Sequence, residues 1–146
     1  MKTETLFSSV NTEWETPPEL FRDLDAEFHF TLDAASTDEN ALCDRHLTKA
    51  DDALHTAWDA EGGAIYVNPP YGRCVARWVE KAYRESQRGQ TVVMLIPART
   101  DTKWFHDWVY HKAEIRFLRG RLHYGINGVR AVNNAAFPSM IVIYRG

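Results

Sequence analysis

The chain has 146 residues, 45% hydrophobic and 12% aromatic, with a net charge of −3, which fits one domain with a single core and disfavours a general nucleic-acid binder. No stretch reaches the roughly 18 apolar residues of a membrane span, residues 1–5 carry no apolar export signal, and Cys43 and Cys74 fit no metal spacing or disulfide framework, so a reduced cytoplasm is the expected setting. Charge is uneven: residues 1–64 hold 4 Lys/Arg against 15 Asp/Glu, and residues 65–146 hold 13 against 5, which predicts either a basic face in the second half or pairing of the two halves across the fold.

Residues 1–13 read as a polar, flexible arm. In Thr16-Pro17-Pro18-Glu19 the Thr can cap a helix, the Pro suits its first position and the Glu closes a capping box. Leu20, Phe21, Leu24 and Phe28 then share one face, so a helix is expected over about 17–27. Trp14 just before it is either a staple or part of a pocket wall. Alternation in 28–33 marks a strand that ends in Asp33-Ala34-Ala35-Ser36, where a carboxylate followed by small residues permits close approach of a ligand. Ser36-Thr37-Asp38-Glu39 offers a second capping box and predicts a helix over about 38–47. Residues 48–62 read as a loop.

Ile65-Tyr66-Val67 is a strand that runs into Asn68-Pro69-Pro70-Tyr71-Gly72. A helical face follows from Val75 through Trp78, Val79 and Ala82 and stops at Gly89. Arg77, Lys81, Arg84 and Arg88 form a stripe on that helix, either a basic surface or a solvated face paired with Glu80 and Glu85. Thr91 to Pro97 is a continuous apolar strand, as expected for a central position. Strand, helix and strand over 65–97 make a βαβ unit, so the sheet is at least partly parallel. Asp101 can cap a further helix bearing Trp104, Phe105, Trp108 and Val109. Strands are expected at 114–118 and 139–144, with an exposed loop or hairpin over 120–134. This is an α/β pattern. Ligands of open α/β sheets bind beyond the carboxyl ends of the strands, so Asp33 and the diproline segment are expected to line one crevice.

Two prolines in series fix φ twice and remove two backbone donors. Pro70 also holds Pro69 extended. The result is a stiff lip presenting an amide, free carbonyls and an aromatic ring. Such a lip suits methylation of a conjugated amino nitrogen, whose lone pair is delocalised. Acceptors on the Asn68 side chain and the Pro69 carbonyl can hold both N–H groups, and Tyr71 can stack on the base. With a sulfonium donor the transfer needs alignment more than acid or base. A base inside a duplex must first be flipped out.

These segments resemble the phage-type DNA N-6-adenine methyltransferases, an S-adenosylmethionine-dependent family. The likeness runs through Trp14 to Phe21, Leu32 to Ser36, Asn40 to Cys43, Asn68 to Gly72, Leu95 to Thr102 and Gly120 to Leu122. It implies a compact, truncated class I (Rossmann-like) methyltransferase fold of one domain, residues 1–146, with a mostly parallel central sheet and a C-terminal antiparallel strand. It also implies S-adenosylmethionine held by Trp14, Thr16, Pro17, Asp33 and Ala34, with Asn68, Pro69, Pro70 and Tyr71 on the target adenine, and a setting in a bacterial host cell. Residues 34–40 contain no glycine, and only 34 residues separate Asp33 from Asn68. Asp59 is therefore the candidate for the ribose contact. The DNA surface, expected to take double-stranded DNA, falls to Arg73, Arg77, Arg99, Lys103, Arg121 and Arg130, contacts that position DNA without specifying sequence. No metal is expected, because the histidines share no ligand spacing. The same lip also suits an RNA base or a protein glutamine amide, and the missing glycines leave room for a DNA-binding module without catalysis.

Overall fold

The computed structural model describes residues 14–126, 129–130, 135 and 137–146; the arm expected over 1–13 lies outside the described residues. The first helix, α1, spans Pro18–Phe28, one residue later than expected. Thr16 does not cap it. The Thr16 hydroxyl sits 2.6 Å from the Tyr66 hydroxyl instead, and the Pro17 carbonyl accepts from the Leu20 and Phe21 N–H groups. The helix ends at His29, whose left-handed φ of 61° returns its N–H to the Asp25 carbonyl.

Strands β1 (Phe30–Asp33), β2 (Ala64–Val67) and β3 (Val92–Pro97) pair in parallel, and helix α2 (Val75–Gln87) connects the last two. Strand β4 (Glu114–Phe117) precedes a short hairpin of β5 (Gly125–Ile126) and β6 (Val129–Arg130). The last strand, β7 (Ser139–Tyr144), inserts between β3 and β4 and runs antiparallel to both. The main sheet is therefore open, five-stranded and mixed, in the order β1-β2-β3-β7-β4. Every residue of β3 and β7 is buried, which is why both read as unbroken apolar runs rather than alternating ones.

The two helices cover opposite faces. Tyr66, Val93 and Ile143 are in register and so share a face, and Phe21 of α1 packs edge-on against Tyr66. Tyr144 points the other way by the period of two, and Tyr83 of α2 packs on it. Glu27 of α1 and Arg116 of β4 form a two-pronged pair at 2.7 Å that ties the first helix to the far strand.

Two expected helices differ. Residues 38–47 form turns. Thr37 and Asn40 exchange side-chain bonds, the Leu42 N–H goes to Asp33, and Arg45 and Leu47 pair with the Asp33 backbone. Local side-chain and strand-like partners thus take the groups a helix would have used. Beyond Thr102 the chain makes a short π-helical segment, Phe105–Val109, which Asp101 does not cap. The loop at 48–62 contains two single 3-10 turns, Lys49–Asp51 and Ala53–His55, anchored by the buried Trp58, whose indole N–H donates to the Ala53 carbonyl.

Candidate functional site

Asp33 ends β1 and stands opposite Tyr66 on β2, two residues before Asn68. Parallel pairing therefore delivers both polar residues to the same edge of the sheet. They line one cavity of about 1180 Å³. Its walls come from Trp14 to Glu19, from the turns after β1 and from the β5 hairpin.

The Asp33 side chain is 2% exposed. Its two oxygens accept the Ala35 N–H at 3.2 Å and the Leu42 N–H at 3.0 Å. Burial pushes its carboxyl up to about 6, while those two N–H groups and nearby His46 pull it down. His46 is itself raised by its contact with Asp38.

Asn68 is half-buried at the start of the lip. Its amide nitrogen donates to the Trp14 carbonyl at 2.5 Å and lies 3.2 Å from the Thr16 hydroxyl. With the nitrogen turned that way, the amide oxygen faces the Tyr71 hydroxyl at 2.7 Å. Tyr71 is 6% exposed, and its ring meets Tyr124 and Phe137 edge-on. Its hydroxyl also lies 3.0 Å from the Leu95 carbonyl and 3.3 Å from the Tyr124 hydroxyl, and Tyr124 reaches Ser139 at 2.8 Å. Burial raises both phenols above the ordinary tyrosine value. Glu15 and Gly125 exchange two backbone bonds of 2.8 Å, which fasten the segment before α1 to the β5 hairpin.

The structure brings Trp14, Thr16, Asp33, Ala34, Asn68 and Pro70 to the cavity. Sequence reasoning set Tyr71 against a base; the structure buries it behind Asn68. Pro17 and Pro69 are buried as well, and neither they nor Tyr71 border the cavity. Asp59 stands apart from the cavity and caps a turn, accepting the Glu61 N–H. Asp52, which sequence reasoning passed over, does line it. Tyr66, Tyr124 and Ser139 were also missed. All three read as ordinary strand or loop residues, and only the folded chain shows the Tyr66 hydroxyl on Thr16 and Ser139 and Tyr124 in line behind Tyr71, which itself reaches Asn68.

Of the candidate DNA contacts, Arg73, Arg77, Arg99, Lys103 and Arg121 reach the surface, and the Arg130 side chain lies outside the described residues. The Arg99 guanidinium stacks 5.9 Å over Phe137, while Lys103 is paired with Asp107. The stripe on α2 is largely paired: Lys81 and Arg88 with Glu85, and Arg84 with Glu80.

The sequence matches the family described as DNA N-6-adenine-methyltransferase (Dam) over residues 3–146. It is 30% identical over 121 residues to the DNA N-6-adenine-methyltransferase of Escherichia phage T1, covering 82% of this chain and 50% of that one. It is 27% identical over 107 residues to the DNA N-6-adenine-methyltransferase of Haemophilus phage HP1, covering 72% and 61%. The chain thus spans about half to three-fifths of the length of these relatives. With a match that runs through the acidic strand end, the diproline lip and the final strand, this chain belongs to the DNA N-6-adenine-methyltransferase (Dam) family.

Proposed function

We propose that the chain methylates the exocyclic amine of adenine in double-stranded DNA, with S-adenosylmethionine as donor and the target base rotated out of the stack. The observation that carries this reading is the placement of Asp33 and the Asn68 amide on one cavity at the carboxyl ends of adjacent parallel strands. We read the fold as a shortened Rossmann-like methyltransferase and place the reaction in the cytoplasm of a bacterial host.

The cavity, at about 1180 Å³, exceeds the roughly 300–1,000 Å³ of ordinary small-molecule sites, which leaves room for a nucleoside-bearing donor beside an extruded base. Glu15, Glu19, Asp33, Glu39 and Asp52 line it against Lys49, a balance that favours a cationic ligand. Trp14, Thr16, Asp33 and Ala34 hold the donor with Pro17 behind them, and Asp52 takes the ribose contact in place of Asp59. When bound, the donor supplies a methyl group made electrophilic by its sulfonium. The Asn68 side-chain oxygen accepts an N–H bond of the amine and aims its lone pair, with Pro69, buried behind the cavity wall, holding Asn68 in place. The amine would take the methyl group as the carbon–sulfur bond breaks and a neutral thioether departs, leaving the positive charge on nitrogen until one proton passes to water, so no residue of the lip has to act as a base. Pro70 keeps the lip rigid. Arg73, Arg77, Arg99, Lys103, Arg121 and Arg130 contact the DNA backbone.

The test is transfer of label from S-adenosylmethionine to unmethylated DNA, with the product base identified, beside Asn68→Ala. Label on N6 of adenine, lost in Asn68→Ala, supports the reading. Label only on RNA or protein, or equal label from both proteins, overturns it.

A further inference from the structure

The Tyr71 hydroxyl has one proton and two neighbours that can only accept it, the Asn68 amide oxygen at 2.7 Å and the Leu95 carbonyl at 3.0 Å. A phenol can serve one of them at a time. Its own oxygen lies 3.3 Å from the Tyr124 hydroxyl, and that hydroxyl lies 2.8 Å from Ser139. Tyr71 and Tyr124 are 6% and 1% exposed. Both phenols are buried, so these partners decide where each proton points.

The direction matters at Asn68. Its nitrogen is committed to Trp14 and Thr16, so the amide cannot turn to adjust. The oxygen is the stronger acceptor when Tyr71 gives its proton to another partner, because two donors on one oxygen weaken each other. The Tyr124 oxygen is such a partner, an acceptor for the Tyr71 proton that competes with Asn68, and the Ser139 hydroxyl 2.8 Å away is placed to take the Tyr124 proton and leave that oxygen free to accept.

We propose that Tyr124, supported by Ser139, is a positioning residue that sets the direction of the Tyr71 hydroxyl and thereby frees the Asn68 oxygen for the substrate amine. No covalent bond changes; the phenolic O–H rotates away from Asn68 toward its other acceptors. This inference rests on the reading of Asn68 as the acceptor for the amine.

Single-turnover methylation by full-length Tyr124→Phe tests it. The substitution keeps the ring that packs on Trp14, Tyr71 and Phe137 and removes one hydroxyl. The expected result is a rate about tenfold lower, the loss of one aligned hydrogen bond, with donor Kd and DNA KM within about twofold of the parent by the same argument. In a Tyr71→Phe background the same substitution is expected to change nothing, because no rotor remains to direct. Ser139→Ala should follow the same pattern at smaller amplitude and serves if Tyr124→Phe does not fold. An unchanged rate, or an equal loss in both backgrounds, overturns the inference. Asn68→Ala separates the two readings: a collapsed rate there beside an unchanged Tyr124→Phe overturns only the positioning role, whereas a retained rate in Asn68→Ala overturns the acceptor reading beneath it.

Discussion

Replacing Asp33 by Asn separates two effects of one buried carboxylate. Burial lifts its pKa from the ordinary 3.8 to about 6. The folded chain therefore binds this proton more tightly than the unfolded chain does. Its contribution to stability is fully present below about pH 4 and is lost as pH rises through about 6, a change of about 3 kcal/mol for a shift of this size. The substituted amide cannot ionise, so Asp33→Asn should remove that slope. At pH 8 the gain is offset, because an amide nitrogen now faces one of the two backbone N–H donors and leaves it unpaired, at a cost of about 1–3 kcal/mol. Net stability at pH 8 should thus change little. Binding of a cationic donor runs the other way. It requires the ionised form, so affinity should be level above pH 7 and weaken by about tenfold per pH unit below 6. Asp33→Asn should bind about 10–100-fold more weakly at pH 8, the worth of a hydrogen bond to a charged group, with no slope attributable to residue 33. Calorimetric titration of S-adenosylmethionine from pH 5 to 8 measures this, with His46→Gln as a control because His46 titrates nearby. A flat profile in the parent chain, or an unchanged slope in Asp33→Asn, refutes the reasoning.

Arg99→Ala should weaken DNA binding and reduce the slope of log K against log salt by about one, as expected for one lost phosphate contact; an unchanged slope removes Arg99 from the interface. Iodoacetamide at pH 8 should label the exposed Cys74 and spare Cys43, whose thiol is pushed up to about 12 by burial and nearby carboxylates; mass spectrometry of the modified peptides reads the outcome. A Cβ on Gly63 would sit 2.4 Å from the Thr31 side chain and 2.9 Å from the His29 carbonyl, so Gly63→Ala should lower stability by about 1–3 kcal/mol, measured as the midpoint of chemical denaturation.

Elements whose signals are local were legible in the sequence. The apolar run of β3 and the face of α2 with Gly89 behind it carry their own periodicity, and the structure places them within a residue or two of expectation. The edge at which Asp33 and Asn68 meet is expected from the rule that ligands of open α/β sheets sit beyond the carboxyl ends of the strands, and the parallel pairing of β1 with β2 bears it out. The capping box at Ser36 misled because Thr37, Asn40 and Leu42 found better partners in each other and in Asp33. The Thr16 cap failed for the same reason, its hydroxyl being held by Tyr66. The partners of Asn68 could not be read beforehand. Trp14 and Tyr71 stand on either side of it, and Tyr124 acts through Tyr71. No spacing rule connects Asn68 with Trp14 or Tyr124, and Tyr71, three residues on, reads from the sequence as a platform for the base rather than as a partner of Asn68.

The paired bonds between Glu15 and Gly125 join stretches from opposite ends of the described chain. Closing so long a loop is slow relative to local helix formation. During synthesis, α1, β1 and the diproline turn emerge from the ribosome well before the hairpin that completes their enclosure. The cavity should therefore be completed late, and a nascent chain halted before Gly125 should lack the wall that the hairpin supplies.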